Sequence, residues 1–216
     1  EEARQRKNFD FGWKFRLNAP KEAIYAAYDD SQWQPVDLPH DWSIHFDFIP
    51  EASSGNDGGY LPTGKGTYRK IFPASSLQSG ERQRLYIEGA YMNSAVYVNG
   101  KLAGEHPYGY SSYDCDITPY LRSDSVNVVA ITIDNSKQRN SRWYSGSGLY
   151  RHVWLETTNG NYELDPWSLT VVTGIPDKKG ISTVDVAFDV ANFTKEEVRA
   201  LTARVTIGKH TVKKKI

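Results

Sequence analysis

The sequence predicts an all-β fold: one β-sandwich over residues 1–158, followed by part of an immunoglobulin-like sandwich over 159–216. Three observations carry this prediction. Helical periodicity is nearly absent, and short apolar stretches recur between turn-forming residues. Aromatic residues reach 13%, with six Trp and fourteen Tyr. Such side chains favour strands and fill large sandwich cores.

The one helical candidate is Lys21 to Tyr28, short and preceded by Pro20. Arg84-Leu85-Tyr86-Ile87-Glu88 alternates polar and apolar residues, as a half-buried strand does. Ala95 to Val98 leads into Asn99-Gly100, which tolerates the two positive φ angles of a type I′ turn, and Lys101 to Gly104 returns, so 95–104 is a hairpin. Thr118 and Pro119 open a single helical turn. Val126 to Ile133 is a longer apolar strand suited to a sheet centre. Tyr150 to Glu156 is another, with Val153 and Leu155 on one face.

Around Thr157-Thr158-Asn159-Gly160 the chain turns polar, which places a domain boundary there. Beyond it, Leu169 to Val172, Val184 to Val190, Leu201 to Ile207 and His210 to Ile216 follow period-two patterns. Four strands are fewer than the roughly seven of an immunoglobulin-like sandwich, so a longer parent is expected.

Lys plus Arg equals Asp plus Glu, at 26 each. A neutral chain has no long-range field for polyanions, which argues against nucleic acid as a partner. No stretch approaches the ~20 apolar residues of a membrane span. The basic run Lys213-Lys214-Lys215 reads as a solvated strand edge. A single cysteine, Cys115, excludes an internal disulfide and leaves the redox compartment open. The chain starts with Glu, which fits a trimmed chain as well as removal of an export segment, so the compartment stays open, with periplasmic or secreted slightly preferred to cytoplasmic for a bacterial source. The sequon Asn192-Phe193-Thr194 is too short to carry weight.

Six segments in order over residues 8–156 resemble glycoside hydrolase family 2, in its β-galactosidase branch. Asn8-Phe9-Asp10-Phe11-Gly12-Trp13-Lys14-Phe15 is similar to its D-x-G-W-x-F opening strand. Trp33-Gln34-Pro35-Val36-Asp37-Leu38-Pro39-His40-Asp41-Trp42 resembles W-x-x-V-x-L-P-H-D-W. Gly64-Lys65-Gly66-Thr67-Tyr68-Arg69-Lys70 resembles G-x-G-W-Y-R-K, with Thr67 in place of Trp. Tyr97-Val98-Asn99-Gly100, Gly104, Gly109-Tyr110 and Tyr113 match a further motif, as do Asn127 and Asp134-Asn135. Ser141 to Arg151 is similar to S-R-W-Y-x-G-x-G-I-Y-R.

The resemblance implies a jelly-roll, galactose-binding-like sandwich, then an immunoglobulin-like sandwich, then a (β/α)₈ barrel that does the chemistry. Members hydrolyse terminal β-glycosides with retention, using two barrel glutamates ~5 Å apart. No residue of this chain matches their surroundings, so no catalytic residue, cofactor or metal ligand is assigned. The implied partners are a β-galactoside or related oligosaccharide and the barrel of the same polypeptide; homo-oligomerisation stays open. In the family, the loop holding Arg142, Trp143 and Tyr144 leans over the barrel mouth and shapes the terminal-sugar subsite. Arg142 can donate a forked hydrogen bond to hydroxyls and Trp143 can offer a flat apolar face. The alternative, weighed equally, is that both dock the sandwich on the barrel.

His40 and Asp41 invite a general-base reading, but neighbours on an extended chain point to opposite faces. Asp41 is better read as accepting backbone N–H groups of the turn after Pro39, with a substrate contact as the lesser alternative. Gly146 and Gly148 lack the third glycine and following helix of a phosphate loop, and suit a tight turn instead. The Gly55 to Gly59 run reads as a mobile loop, whose carboxylate can reach a cation. No His/Cys cluster has metal-ligand spacing. Lactose-cleaving members carry Asn where Leu61 precedes Pro62-Thr63-Gly64, and an acidic residue near the position of Arg142 tied to sodium. Neither feature carries over, so the sugar stays open within the family. β-Glucuronidase and β-mannosidase relatives, a stand-alone carbohydrate-binding module and an adhesion sandwich are the alternatives.

Overall fold

The computed structural model describes residues 4–77, 81–137, 144–158, 161–165, 167–197 and 201–215. The chain divides between Thr158 and Asn159 into two units. Ten strands build the first: β1 (Arg4–Asn8), β2 (Trp13–Leu17), β3 (Gln34–Val36), β4 (Lys65–Pro73), β5 (Arg82–Ile87), β6 (Ser94–Val98), β7 (Lys101–His106), β8 (Tyr113–Asp116), β9 (Val126–Asp134) and β10 (Val153–Thr158). They form a four-stranded sheet, β1-β10-β5-β8, and a six-stranded sheet, β3-β2-β4-β9-β6-β7. This is a jelly-roll sandwich. Its core interleaves Leu85, Ile87, Val153 and Leu155 of one sheet with Tyr68, Val96, Val129 and Ile131 of the other. Trp13, Phe15 and Trp42 close one side.

The Asn99-Gly100 turn has φ values of 51° and 83° and joins β6 to β7, the left-handed pair a type I′ turn requires. β9 lies between β4 and β6. Val129 and Ile131 face the core, while Val128 and Ala130 point to the opposite face and are still buried. That outer face is covered by the segment before β3, with Ala23 and Trp33 buried in it.

Arg69 pins this covering segment. It projects from β4 with no exposed surface. Its Nε donates to Asp30 Oδ2 at 2.9 Å, its Nη1 to the carbonyls of Ala23 and Tyr25, and its Nη2 to Tyr28 O. Lys14 Nζ holds Asp30 Oδ1 at 2.7 Å. These bonds explain why the expected helix over Lys21 to Tyr28 shrinks to a single 3-10 turn, Lys21–Ile24. Tyr25 is already extended, and the carbonyls a longer helix would use are bound to the guanidinium.

Two other expectations change. The Gly55 to Gly59 run is tied down rather than loose: it contains a 3-10 turn, Asn56–Gly58, and Ser54 Oγ donates to Leu61 O at 2.8 Å. The strand expected from Tyr150 begins at Val153, where its pairing with β5 starts, and Leu149 O accepts from His40 N–H instead. β1 carries no apolar alternation in Arg4-Gln5-Arg6-Lys7-Asn8, yet it pairs with β10 and seats Arg6 on buried Glu156 at 2.9 Å.

The second unit contains β11 (Tyr162–Leu164), β12 (Thr170–Thr173), β13 (Val184–Ala187), β14 (Val190–Asn192), β15 (Thr202–Ile207) and β16 (His210–Lys215). They pair as β11-β14, β12-β13 and β15-β16. The single strand expected from Val184 to Val190 is therefore two, with different partners. The break falls at Asp189, whose N–H bonds Ser168 Oγ and whose carbonyl accepts from Asp165 N–H. Apolar residues such as Val171, Val172 and Val212 stay exposed.

Candidate functional site

The site is built where segments from both sheets meet at one end of the sandwich. Residues 40–42 run alongside 147–149: His40 N–H donates to Leu149 O at 2.8 Å and Trp42 N–H to Ser147 O at 3.0 Å. Across the same stretch, Tyr91 and Gly148 exchange two backbone hydrogen bonds. Gly148 has φ +121°, and a Cβ there would come within 2.3 Å of Tyr68 Oη and 2.7 Å of His40 O. Only glycine fits this crossing.

Asp41 is the clasp. Its Oδ1 accepts Ser43 N–H and Ser147 N–H, both at 2.9 Å. Its Oδ2 accepts the Tyr144 hydroxyl at 3.1 Å. One carboxylate thus joins the segment after Pro39 to the loop before Tyr150. Burial, and then the adjacent Asp41 charge, push the Tyr144 phenol up to about 12, so it keeps its proton and donates to Asp41. Ser43 Oγ donates to Pro62 O and accepts from the Ser147 hydroxyl, each at 2.7 Å, and Asn135 Nδ2 donates to Ser147 Oγ at 2.8 Å. Four loops are therefore cross-linked beside Asp41.

Of the residues singled out from the sequence, Asp41 and Tyr144 come together in this clasp. Arg142 and Trp143 lie outside the described residues. Ser43, Asn135 and Ser147 were missed as site residues; Asn135 and Ser147 stood in recognised motifs, but a serine gives no distinguishing pattern. Leu61 sits on the same rim, its carbonyl held by Ser54. Among the described residues, no three His, Cys, Asp or Glu side chains gather as metal donors.

His40 takes no part in an acid–base pair with Asp41. Its Nδ1 lies 2.8 Å from Tyr68 Oη, and its ring packs 4.8 Å from Phe15. Burial, and then neighbouring His45, lower its pKa from 6.5 to about 4. The unfolded chain therefore takes up this proton first, and the site loses stability as the pH falls from 6.5 towards 4. In NMR titrations the His40 ring signals are expected to stay constant through mild acid and to move near pH 4. A midpoint near the ordinary histidine value would contradict this packing.

No protein-family model matches the chain. It is 45% identical over 176 residues to a β-galactosidase, BoGH2A, of Bacteroides ovatus, covering 82% of this chain and 21% of that protein. It is 33% identical over 186 residues to a putative β-glucuronidase of Formosa agariphila, covering 86% and 18%. The crystal structure of a glycosyl hydrolase family 2 member from Bacteroides cellulosilyticus matches with a TM-score of 0.74 at 34% identity, covering 98% of this chain and 29% of that one. The chain spans about a fifth of the length of these curated relatives. By sequence and by fold, it belongs to glycoside hydrolase family 2.

Proposed function

We propose that this chain is the amino-terminal, non-catalytic segment of a retaining exo-β-glycosidase, in which it supports a catalytic barrel and completes the pocket for the terminal sugar. The observation that supports the reading is the Asp41 clasp, which holds Tyr144 and Ser147 together, in the segment for which the family resemblance implies a sugar contact. In this reading Tyr144 and the neighbouring Arg142 and Trp143 face the substrate, and Asp41 is a positioning residue. Two carboxyl groups of the barrel, ~5 Å apart, act as nucleophile and acid/base. The sugar is proposed to be β-galactose, on the 45% identity to a β-galactosidase. A second reading, β-glucuronide, has the Formosa agariphila relative in its favour.

The test is hydrolysis of aryl β-galactoside and aryl β-glucuronide by the full parent polypeptide and by residues 1–216 alone. The expected result is turnover of the galactoside by the parent and none by the fragment. Hydrolysis by the fragment would overturn the assignment of the chemistry to a barrel, and preference for the glucuronide would replace the sugar.

A further inference from the structure

The loop joining β7 to β8 is fixed on every side yet presents two large aromatic rings to solvent. Tyr150 Oη donates to Gly109 O at 2.8 Å, and Ser112 Oγ donates to Glu88 O at 3.0 Å. His106 Nε2 and Ser111 Oγ are 2.9 Å apart, and Asn93 N–H reaches Pro107 O at 3.2 Å. Gly109 lies so close to the Tyr91 ring that a Cβ would come within 2.2 Å of it. Despite this anchoring, Tyr108 is 58% exposed and Tyr110 50%. The rings are ordered against each other: Tyr91 and Tyr110 meet edge to face at 5.1 Å, and Tyr110 and Tyr108 at 5.7 Å.

Rigid, exposed aromatics cost apolar hydration without filling the core. Their position and surroundings state what would cover them. The hydroxyl of Tyr91 is held by Ser145, the residue next to Tyr144, so the tyrosine row continues directly from the Asp41–Tyr144 rim. Neither 106–113 nor 144–150 contains an Asp, Glu, Lys or Arg. His106 is held below its ordinary pKa by burial, so it is neutral at pH 7. The tyrosine row itself is hydroxyl-bearing and uncharged, with the Asp41 carboxylate on the rim beside Tyr144 and Arg151 next to Tyr150 as its charged neighbours. It suits a polyol with apolar C–H faces.

Resting on the exo-glycosidase reading above, we propose that Tyr108 and Tyr110 form the subsite for the leaving-group portion of a neutral oligosaccharide whose terminal sugar enters beside Tyr144. One ring stacks on a sugar face while the other, turned 63° from it, meets the sugar's edge, and their phenols hydrogen-bond the hydroxyls. The pinned loop holds both rings in place before substrate arrives, so little ordering is needed on binding.

The test compares the parent enzyme with its Tyr108→Ala/Tyr110→Ala and Tyr108→Phe/Tyr110→Phe variants on galactosylated cellobiose and on methyl β-galactoside. Loss of both rings is expected to lower the ratio of kcat/KM for the oligosaccharide over the methyl glycoside about tenfold, mainly through KM. The phenylalanine pair, which keeps the rings, should recover most of that ratio. Calorimetric titration of the same proteins with cellobiose should show affinity weakened about tenfold in the alanine pair alone. Equal losses on both glycosides, or cellobiose binding unchanged or undetectable in the parent, would overturn the subsite. If the parent turns over neither glycoside, the galactosidase reading fails by itself and the titration still decides the platform.

Discussion

Replacing Asp30 by Ala is expected to cost the first unit about 3–5 kcal/mol, the loss typical of leaving one member of a buried ion pair unmatched. Arg69 has no exposed surface and Asp30 is almost fully buried. Without the carboxylate, the guanidinium keeps three backbone carbonyls but no counter-charge, and Lys14 keeps only the carbonyl of residue 30. The segment before β3 would lift from the sheet and expose Val128 and Ala130. Thermal unfolding followed by circular dichroism should show a midpoint lowered by about 10 °C. A shift of less than about 2 °C would mean that the covering segment is held by apolar contacts alone. Asp30→Asn, which keeps an acceptor for Arg69 Nε, should fall between.

The same pair gives stability a defined dependence on pH. Burial works against the charged Asp30 carboxyl, but hydrogen bonds from Arg69 and Lys14 outweigh it and hold its pKa below 3.8. A carboxyl more acidic in the folded state contributes stability above its unfolded pKa and loses it as the pH falls through the folded one. The Asp30 contribution is therefore complete at neutral pH and disappears below 3.8. The His40 effect acts earlier in acid, between 6.5 and about 4.

The second large effect concerns activity. Asp41→Ala in the parent enzyme is expected to lower kcat/KM about 10- to 100-fold, since catalysis is sensitive to small displacements of positioning groups. Three donors lose their acceptor together: Ser43 N–H, Ser147 N–H and the Tyr144 hydroxyl. Asp41→Asn separates positioning from direct contact. An amide keeps one oxygen for the two N–H groups and turns its NH₂ toward the Tyr144 oxygen, so the clasp survives without charge. Activity of the Asn variant within about threefold of the parent supports positioning. An Asn variant as impaired as the Ala variant would show that the charge of Asp41 itself meets the substrate.

Strands with regular alternation were legible in the sequence. The β6–β7 hairpin, the apolar β9 and the β5 strand each follow from local pattern and turn chemistry, because a strand in a two-layer sandwich buries one face and the Asn-Gly turn is chosen by its φ angles. The six ordered motifs carried the family. Asp41 and Tyr144 were found by those motifs as separate residues, 103 positions apart.

What needed the tertiary structure is of another kind. β1 is wholly polar and becomes a strand because β10 offers an unpaired edge and Glu156 needs Arg6. Lys21 to Tyr28 stays unwound because Arg69, more than forty residues away, takes its carbonyls. Tyr108 and Tyr110 were indistinguishable from the core-filling tyrosines until the loop was seen pinned with its rings outward. Local sequence determines which faces are apolar and where the chain turns, since those depend on neighbours a few residues apart. Which distant groups satisfy each other's hydrogen bonds and charges, and which aromatics remain uncovered, was decided only when the two sheets closed.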